Sequence, residues 1–299
     1  MKEIIDLKKY FPKIIVPKIG VDRELMRIEN NDNYILSCTF AKKKITIPKR
    51  IILNANDFIA IGLYLAEGYT KINRKKKYYH DGSVTFVGSY KEMINPICDL
   101  LEKLNISKEK LKWKIGINVN IKRKFTEIIK YWVKNTNLRD ENLRAKSVYY
   151  TGTLGKPTIR SGINGCVHIF FPSVVFRSFF LNFINLIFQN SLNNKNIKEL
   201  SLILKGFFAG DGSVNYCKKY NRRLIDFASN NPELIGKLKE ALSIIGISSI
   251  KETYPELGKS NNKSLRIYNK KDFLILQKNE IPNLLSYKKK IFDELMNSY

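Results

Sequence analysis

Residues 60–68 read Ala60-Ile61-Gly62-Leu63-Tyr64-Leu65-Ala66-Glu67-Gly68, and residues 204–212 read Leu204-Lys205-Gly206-Phe207-Phe208-Ala209-Gly210-Asp211-Gly212. Each predicts an apolar helix with small residues four apart, Gly62 and Ala66 in one, Gly206 and Gly210 in the other, closing on a carboxylate and then a glycine. That close is electrostatically unfavourable. The last turn of a helix carries about half a negative charge, so an acid there costs roughly 0.3–1 kcal/mol where Lys or Arg would gain it. The following glycine is expected to end the helix in the left-handed conformation. One such helix is an ordinary solvated end, but here the pattern recurs 211 − 67 = 144 residues later in a chain of 299.

Side-by-side packing of the two helices accounts for the recurrence. Small residues at i and i+4 share a face and let two backbones approach closely. Glu67 and Asp211 then meet at one end of the pair, where two carboxylates and two negative helix ends repel unless a cation lies between them. The expected occupant is a divalent metal.

The two stretches resemble the paired motif of the LAGLIDADG homing endonucleases in their single-chain, free-standing form. Gly62 and Gly206 match the motif's internal, helix-interface glycine, Glu67 and Asp211 its final acid, and Gly68 and Gly212 its closing glycine. Leu65 and Ala209 stand where the eponymous motif has an inner acid, a position that varies in the family. The resemblance implies an α+β protein of two pseudo-symmetric αββαββα halves, with a curved β-saddle over double-stranded DNA. It also implies site-specific double-strand cleavage that leaves 3′ overhangs. Two or three Mg²⁺ ions would be shared by Glu67 and Asp211, helped by the carbonyls of Ala66 and Gly210. A lysine near the acids is implied to tune the attacking water. Lys71, Lys156, Arg266 and Lys270 are candidates, with Lys71 and Lys270 taken into the catalytic set. RNA maturases that act on structured intron RNA, and DNA-binding regulators with silent sites, share the fold and remain alternatives.

The charge balance agrees with a polyanion partner. Lys and Arg number 53 against 27 Asp and Glu, a formal net charge of +26 spread along the whole sequence. Only two histidines, His80 and His168, are present, which excludes nuclease sites built on several histidines. Cys38, Cys98, Cys166 and Cys217 form no CxxC pair and are expected to be reduced core residues. The greasiest stretch, 166–188, is broken by His168, Pro172, Arg177, Asn182 and Asn185, so it predicts a buried strand and helix and not a membrane span. A soluble, cytoplasmic monomer is expected.

Both halves continue alike. After each motif comes a hairpin with a basic tip, Asn73 to Gly82 in the first half and Lys218 to Arg223 in the second, then an amphipathic helix. Further on, Val167-His168-Ile169 aligns with Leu265-Arg266-Ile267, each a strand entering a closing helix. The expected division is a β-rich extension over 1–54, a first half over 55–195 and a second over 196–299. The first half carries an insertion at 121–165, with a basic helix from Ile121 to Lys134 and a glycine-rich segment after it. That segment, with Lys156 and Arg160, is either a DNA-contacting loop or a solvated linker. The expected DNA contacts are Lys71, Asn73, Thr85, Asn215, Arg223 and Asp226 along the strands, together with Arg266, and Lys75, Lys76, Lys218, Lys219 and Arg222 at the tips.

Overall fold

The computed structural model describes residues 4–12, 14–18, 21–38, 44–68, 83–119, 121–149, 163–253 and 263–299. They form two compact units that follow packing and not chain order. One holds Met1–Asp57 with Gly68–Leu186, the other Phe58–Glu67 with Ile187–Tyr299.

The first unit opens with β1 (Ile4–Asp6), β2 (Ile14–Lys18), β3 (Val21–Asn30), β4 (Asn33–Cys38), β5 (Ile45–Pro48) and β6 (Arg50–Ile52), followed by α1 (Ala55–Glu67). β1 pairs with β6, and β2 to β5 form a four-stranded antiparallel sheet in chain order. Asn54 caps α1 by accepting from the backbone N–H of Asn56 (2.9 Å) and Asp57 (3.2 Å), while Asp57 accepts from the Asn54 N–H (2.6 Å).

The first half continues with β7 (Ser83–Gly88), α2 (Lys91–Lys103), β8 (Lys112–Asn118), α3 (Phe125–Asn135), β9 (Leu143–Tyr149), β10 (Cys166–Pro172) and α4 (Val174–Asn193). Aromatic side chains dock the extension on α4. Phe11 lies 5.2 Å from Tyr34 and 5.3 Å from Phe179, Tyr10 lies 5.3 Å from Phe183, and the Asn182 amide donates to the Tyr10 carbonyl at 2.7 Å. Val84, Phe86, Ile169 and Phe171 are buried with Ile97 and Leu101 of α2, as the 3.6-residue spacing of that helix predicts.

The second half comprises α5 (Ile197–Asp211), β11 (Gly212–Cys217), β12 (Arg222–Ser229), α6 (Pro232–Ile244), β13 (Ile250–Thr253), β14 (Lys263–Ile267), α7 (Lys270–Lys278) and α8 (Ser286–Met296). Its sheet runs β11-β12-β14-β13, and the first half's runs β7-β10-β8-β9, so β7, β10 and β8 occupy the places of β12, β14 and β13. Gly68 bridges Phe86 as Gly212 pairs with Phe227, so the glycine after each motif's acid takes the same place in its half. The α+β class and the repeated element order expected from the sequence are both present.

Three details differ from expectation. Ile169 lies opposite Phe86 and Leu265 opposite Phe227, so the halves align two residues away from the sequence match of Val167 with Leu265. The insertion supplies β9, a strand parallel to β8 at the sheet edge, where only a helix and a loop were expected. Cys38 and Cys98 are buried, with the Cys98 thiol pushed up to about 12 by burial, but Cys166 and Cys217 are half-exposed.

Within the second unit, residues 58–67 of α1 pack against α5 with a reciprocity that the glycines make possible. A Cβ on Gly62 would lie 1.9 Å from the Ile203 carbonyl oxygen and 2.8 Å from the Phe207 nitrogen. A Cβ on Gly206 would lie 2.1 Å from the Ile59 carbonyl oxygen and 2.9 Å from the Leu63 nitrogen. Each contact maps onto the other by the same offset: 206 − 62, 203 − 59 and 207 − 63 all equal 144. The obstacles are backbone atoms, which cannot swing aside. Gly206→Ala should therefore cost about 3 kcal/mol, the upper end of ordinary overpacking. Gly236 of α6, around which an added Cβ meets nothing within 4 Å, should instead gain about 0.5–1 kcal/mol on replacement by Ala. Urea denaturation midpoints of the two variants test the contrast.

Candidate functional site

The reciprocal helix contact decides where the two acids lie. A Cβ on Gly210 would sit 2.6 Å from the Ala66 Cβ, 2.9 Å from the Glu67 Cγ and 3.6 Å from the Glu67 Oε1. The Glu67 carboxylate therefore lies against the backbone of Gly210, whose next residue is Asp211. Ala66 and Gly210 are themselves 144 apart, so the pseudo-dyad runs between them. Glu67 is half-buried and Asp211 is exposed. Asp211 sits where α5 passes directly into β11, and Glu67 precedes Gly68, which bridges Phe86 of the first sheet.

Gly212 does not end α5 in the left-handed way expected. Its φ is −85° and its ψ 154°, extended backbone. It must be glycine for space, because a Cβ would fall 2.1 Å from the Phe208 ring and 2.6 Å from the Phe208 carbonyl oxygen. The helix thus turns into β11 without a loop and fixes the direction in which Asp211 leaves it.

A cation does meet the negative end of α5, and it belongs to the protein. Lys288, 6% exposed on α8, donates from Nζ to the carbonyls of Phe208 (2.7 Å), Ala209 (2.7 Å) and Gly212 (2.7 Å), and to that of Gly210 at 3.3 Å. It answers the missing basic residue in the last turn of α5 and holds the carbonyls on both sides of Asp211. The signal lay in the sequence: Leu285, Lys288, Phe292 and Leu295 form one helical stripe, and all four are buried.

The oxygen donors of the side chains at the acidic end are the two carboxylates. This is the hard-oxygen set that Mg²⁺ takes together with water and phosphate. Among the described residues no three His, Cys, Asp or Glu side chains gather as a metal-binding group. The remaining ligands of an ion here would be carbonyls, water and substrate oxygens.

Opposite its helices, the second sheet presents Ser213, Asn215, Asp226, Lys251 and Arg266 on one face by strand alternation and register. The Asn215 amide donates to Ser213 Oγ at 3.0 Å, and Arg266 Nε stands 3.8 Å from Asp226 Oδ2. Asp226 Oδ1 and Arg266 Nε are buried without hydrogen-bond partners among the described residues. Burial raises the Asp226 pKa, opposed by Ser264 and by the Arg266 and Arg222 charges. Lys218, Lys219 and Arg222 are exposed at the hairpin tip.

Two expected outward positions are corrected. Arg223 shares the face of Ile225 and Phe227 and turns back to the end of α8, donating to Ser298 Oγ (2.8 Å) and the Ser298 carbonyl (2.7 Å) and stacking on Tyr299. Thr85 is 4% exposed, in an interior stretch of β7 opposite Phe170, and its hydroxyl lacks a partner among the described residues. Lys270 lies over the Tyr299 ring at 5.0 Å. Lys71, Asn73, Lys75, Lys76, Lys156 and Arg160 fall outside the described residues.

Replacing Lys288 by Met leaves buried carbonyls without a donor, and the expected loss is about 2–3 kcal/mol in a denaturant titration. Asp226 gives a pH signature. Its folded pKa lies above its unfolded value, so its contribution is present at low pH and is lost as pH rises through the folded pKa. Asp226→Asn should therefore raise the thermal midpoint at pH 7 by more than at about pH 4; an equal change at both would refute the assignment.

The family model for a LAGLIDADG-like domain matches residues 198–279. Among solved structures, the chain is similar to the N-terminal LAGLIDADG domain of DUF199/WhiA, at 11% identity and a TM-score of 0.40 over 79% of this chain and 88% of that one. It is also similar to I-DmoI in complex with DNA and Mn, at 15% identity and a TM-score of 0.40 over 75% and 96% of the respective chains. A third similar structure is full-length DUF199/WhiA from Thermatoga maritima, at 12% identity and a TM-score of 0.38 over 82% and 61%. A search of curated proteins finds no match. No helix among the described residues is long and apolar enough to cross a membrane. The match falls on the second motif helix and its sheet, so residues 198–279 form a LAGLIDADG-like domain.

Proposed function

We propose that the chain is a divalent-metal-dependent endonuclease that cuts double-stranded DNA at a specific site and leaves 3′ overhangs. The observation that carries this reading is the glycine-mediated contact that brings Glu67 against Gly210, beside Asp211. Side-by-side acids at two helix C-termini are costly for stability alone and suited to a cation with a phosphate. The charge of +26 and the sheet face bearing Asn215, Asp226, Lys251 and Arg266 suit a duplex partner.

In this reading Glu67 and Asp211 hold the metal ions, with the carbonyls of Ala66 and Gly210. Bound Mg²⁺ supplies charge neutralisation at the scissile phosphate and an activated water. Glu67 and Asp211 fix the point of attack relative to each strand. Lys288 keeps the Asp211 junction rigid without entering the reaction. Lys270, with Lys71, is proposed to order water at the same end. Asp226 and Arg266, paired on the sheet face turned away from the helices, are proposed as base readers, the acid as an acceptor for cytosine N4 and the guanidinium as a donor to guanine.

A second reading keeps DNA binding and drops cleavage. It is favoured by the Lys288 bond to the Gly210 carbonyl, which engages one of the expected metal ligands. Incubation with a library of random duplex targets in Mg²⁺ or EDTA separates the two. The nuclease predicts double-strand cuts that need metal and fall by about 10²–10³-fold in Glu67→Gln or Asp211→Asn, an effect of the size seen when one electrostatic group is removed from an active site. Sequence-selective binding without cuts in either buffer would leave the regulator, and selective retention of structured RNA would favour a maturase.

A further inference from the structure

The extension over residues 1–54 has no role in the repeated architecture, yet it walls one side of a cleft in the first unit. The cleft has a volume of about 590 Å³ and lies where β5, the 104–111 loop, the start of β8 and the start of β9 converge. Lys44, Lys110, Lys112 and Arg144 line it with Asn105 and Asn142, above a floor that includes Ile106 and Phe171. Among the described residues none of the four cations is ion-paired. The one acid in the lining, Glu109, has its carboxylate 3.5 Å from Arg139 and is held below its usual pKa by its own backbone N–H and Ser107. The cleft is therefore a concentrated positive site.

Its walls are built and braced. Trp113 pairs with Leu143 and Lys114 with Ala145, so Arg144 is the extra residue of a β-bulge, a device that re-aims a side chain out of the ladder. Asn105 adopts the left-handed conformation (φ 64°) and donates to the Thr46 carbonyl at 3.2 Å, tying the extension to the loop. Asn142 donates to the carbonyls of Lys108 (3.3 Å) and Glu109 (3.0 Å) and sets the opposite rim. Lys112 belongs both to the cleft and, with Lys114, to the face of the first sheet turned away from its helices, because Lys112 pairs with Phe170 and Lys114 with His168. Lys112 thus links that face to the cleft.

We infer that this cleft grips the sugar-phosphate backbone of duplex DNA flanking the segment faced by the strands, and that the N-terminal extension exists to complete it. Four cations that meet no acid among the described residues, in walls held by amides already bonded to backbone, suit phosphate contact, which positions a duplex without reading it. The inference rests on the DNA-binding reading, and its test separates the two. The full chain is titrated with a random-sequence 40-bp duplex across a salt series, with Lys110→Ala/Arg144→Ala beside a control, Lys237→Ala/Lys239→Ala, on α6. Each lost phosphate contact flattens the slope of log K against log salt by about 0.9, so the cleft variant should be shallower by about 1.8 and the control unchanged. Thermal midpoints should match the wild type, since both replaced cleft side chains are exposed. Wild-type binding with equal slopes in both variants overturns the cleft and leaves DNA binding standing. No wild-type binding to the duplex overturns both. Calorimetric binding of inorganic pyrophosphate that the cleft variant abolishes, with its duplex slope unchanged, assigns the cleft to a free phosphate and also overturns the inference.

Discussion

The whole second unit depends on two backbones touching where side chains normally intervene. Gly62 and Gly206 let α1 and α5 close to a distance at which any Cβ would overlap a carbonyl oxygen of the facing helix. Everything at the acidic end follows from that approach. The contact sets Ala66 against Gly210 and puts the Glu67 carboxylate beside the Asp211 junction. A wider spacing would separate the acids.

Concentrating two carboxylates at helix C-termini carries an electrostatic cost, and the protein meets part of it internally. Lys288 enters from α8 and satisfies carbonyls on both sides of Asp211 with one ammonium group. Its aliphatic stem runs over the Phe208 ring, with Nζ 5.3 Å from the centroid, so the charge is delivered through an apolar layer. Phe207 and Phe208 in turn pack on Phe227 of β12 at 6.4 and 5.2 Å, which ties the helix end to the sheet. The rigidity of the site is thus assembled from an ion, three rings and a glycine with no room for a Cβ.

The paired motifs were legible in the sequence because they are local: nine residues carry the helix, its small face, the acid and the break. Element order was legible for the same reason, since α2 and α6 announce themselves by spacing and α6 by Asn231-Pro232. What escaped notice is non-local. β9 pairs in parallel with a strand some 30 residues earlier, across α3, and its sequence shows no period that foretells the partner. The two-residue slip between Val167 and Leu265 arose because register depends on cross-strand packing about Phe86 and Phe227. Arg223 was misjudged by parity alone, since one residue along a strand exchanges faces. Lys288 was hidden among Lys289 and Lys290, although its place on the apolar stripe of α8 marked it as different.

The exchange of α1 into the second unit has a consequence for synthesis. Translation proceeds at about 5–20 residues per second, so the glycine face of α1 waits on the order of ten seconds for residues 197–211 to be made. Throughout that interval the nascent first half displays an unmatched apolar ridge that only its own later sequence is shaped to cover. The first half is therefore synthesised before the helix that completes its motif contact exists.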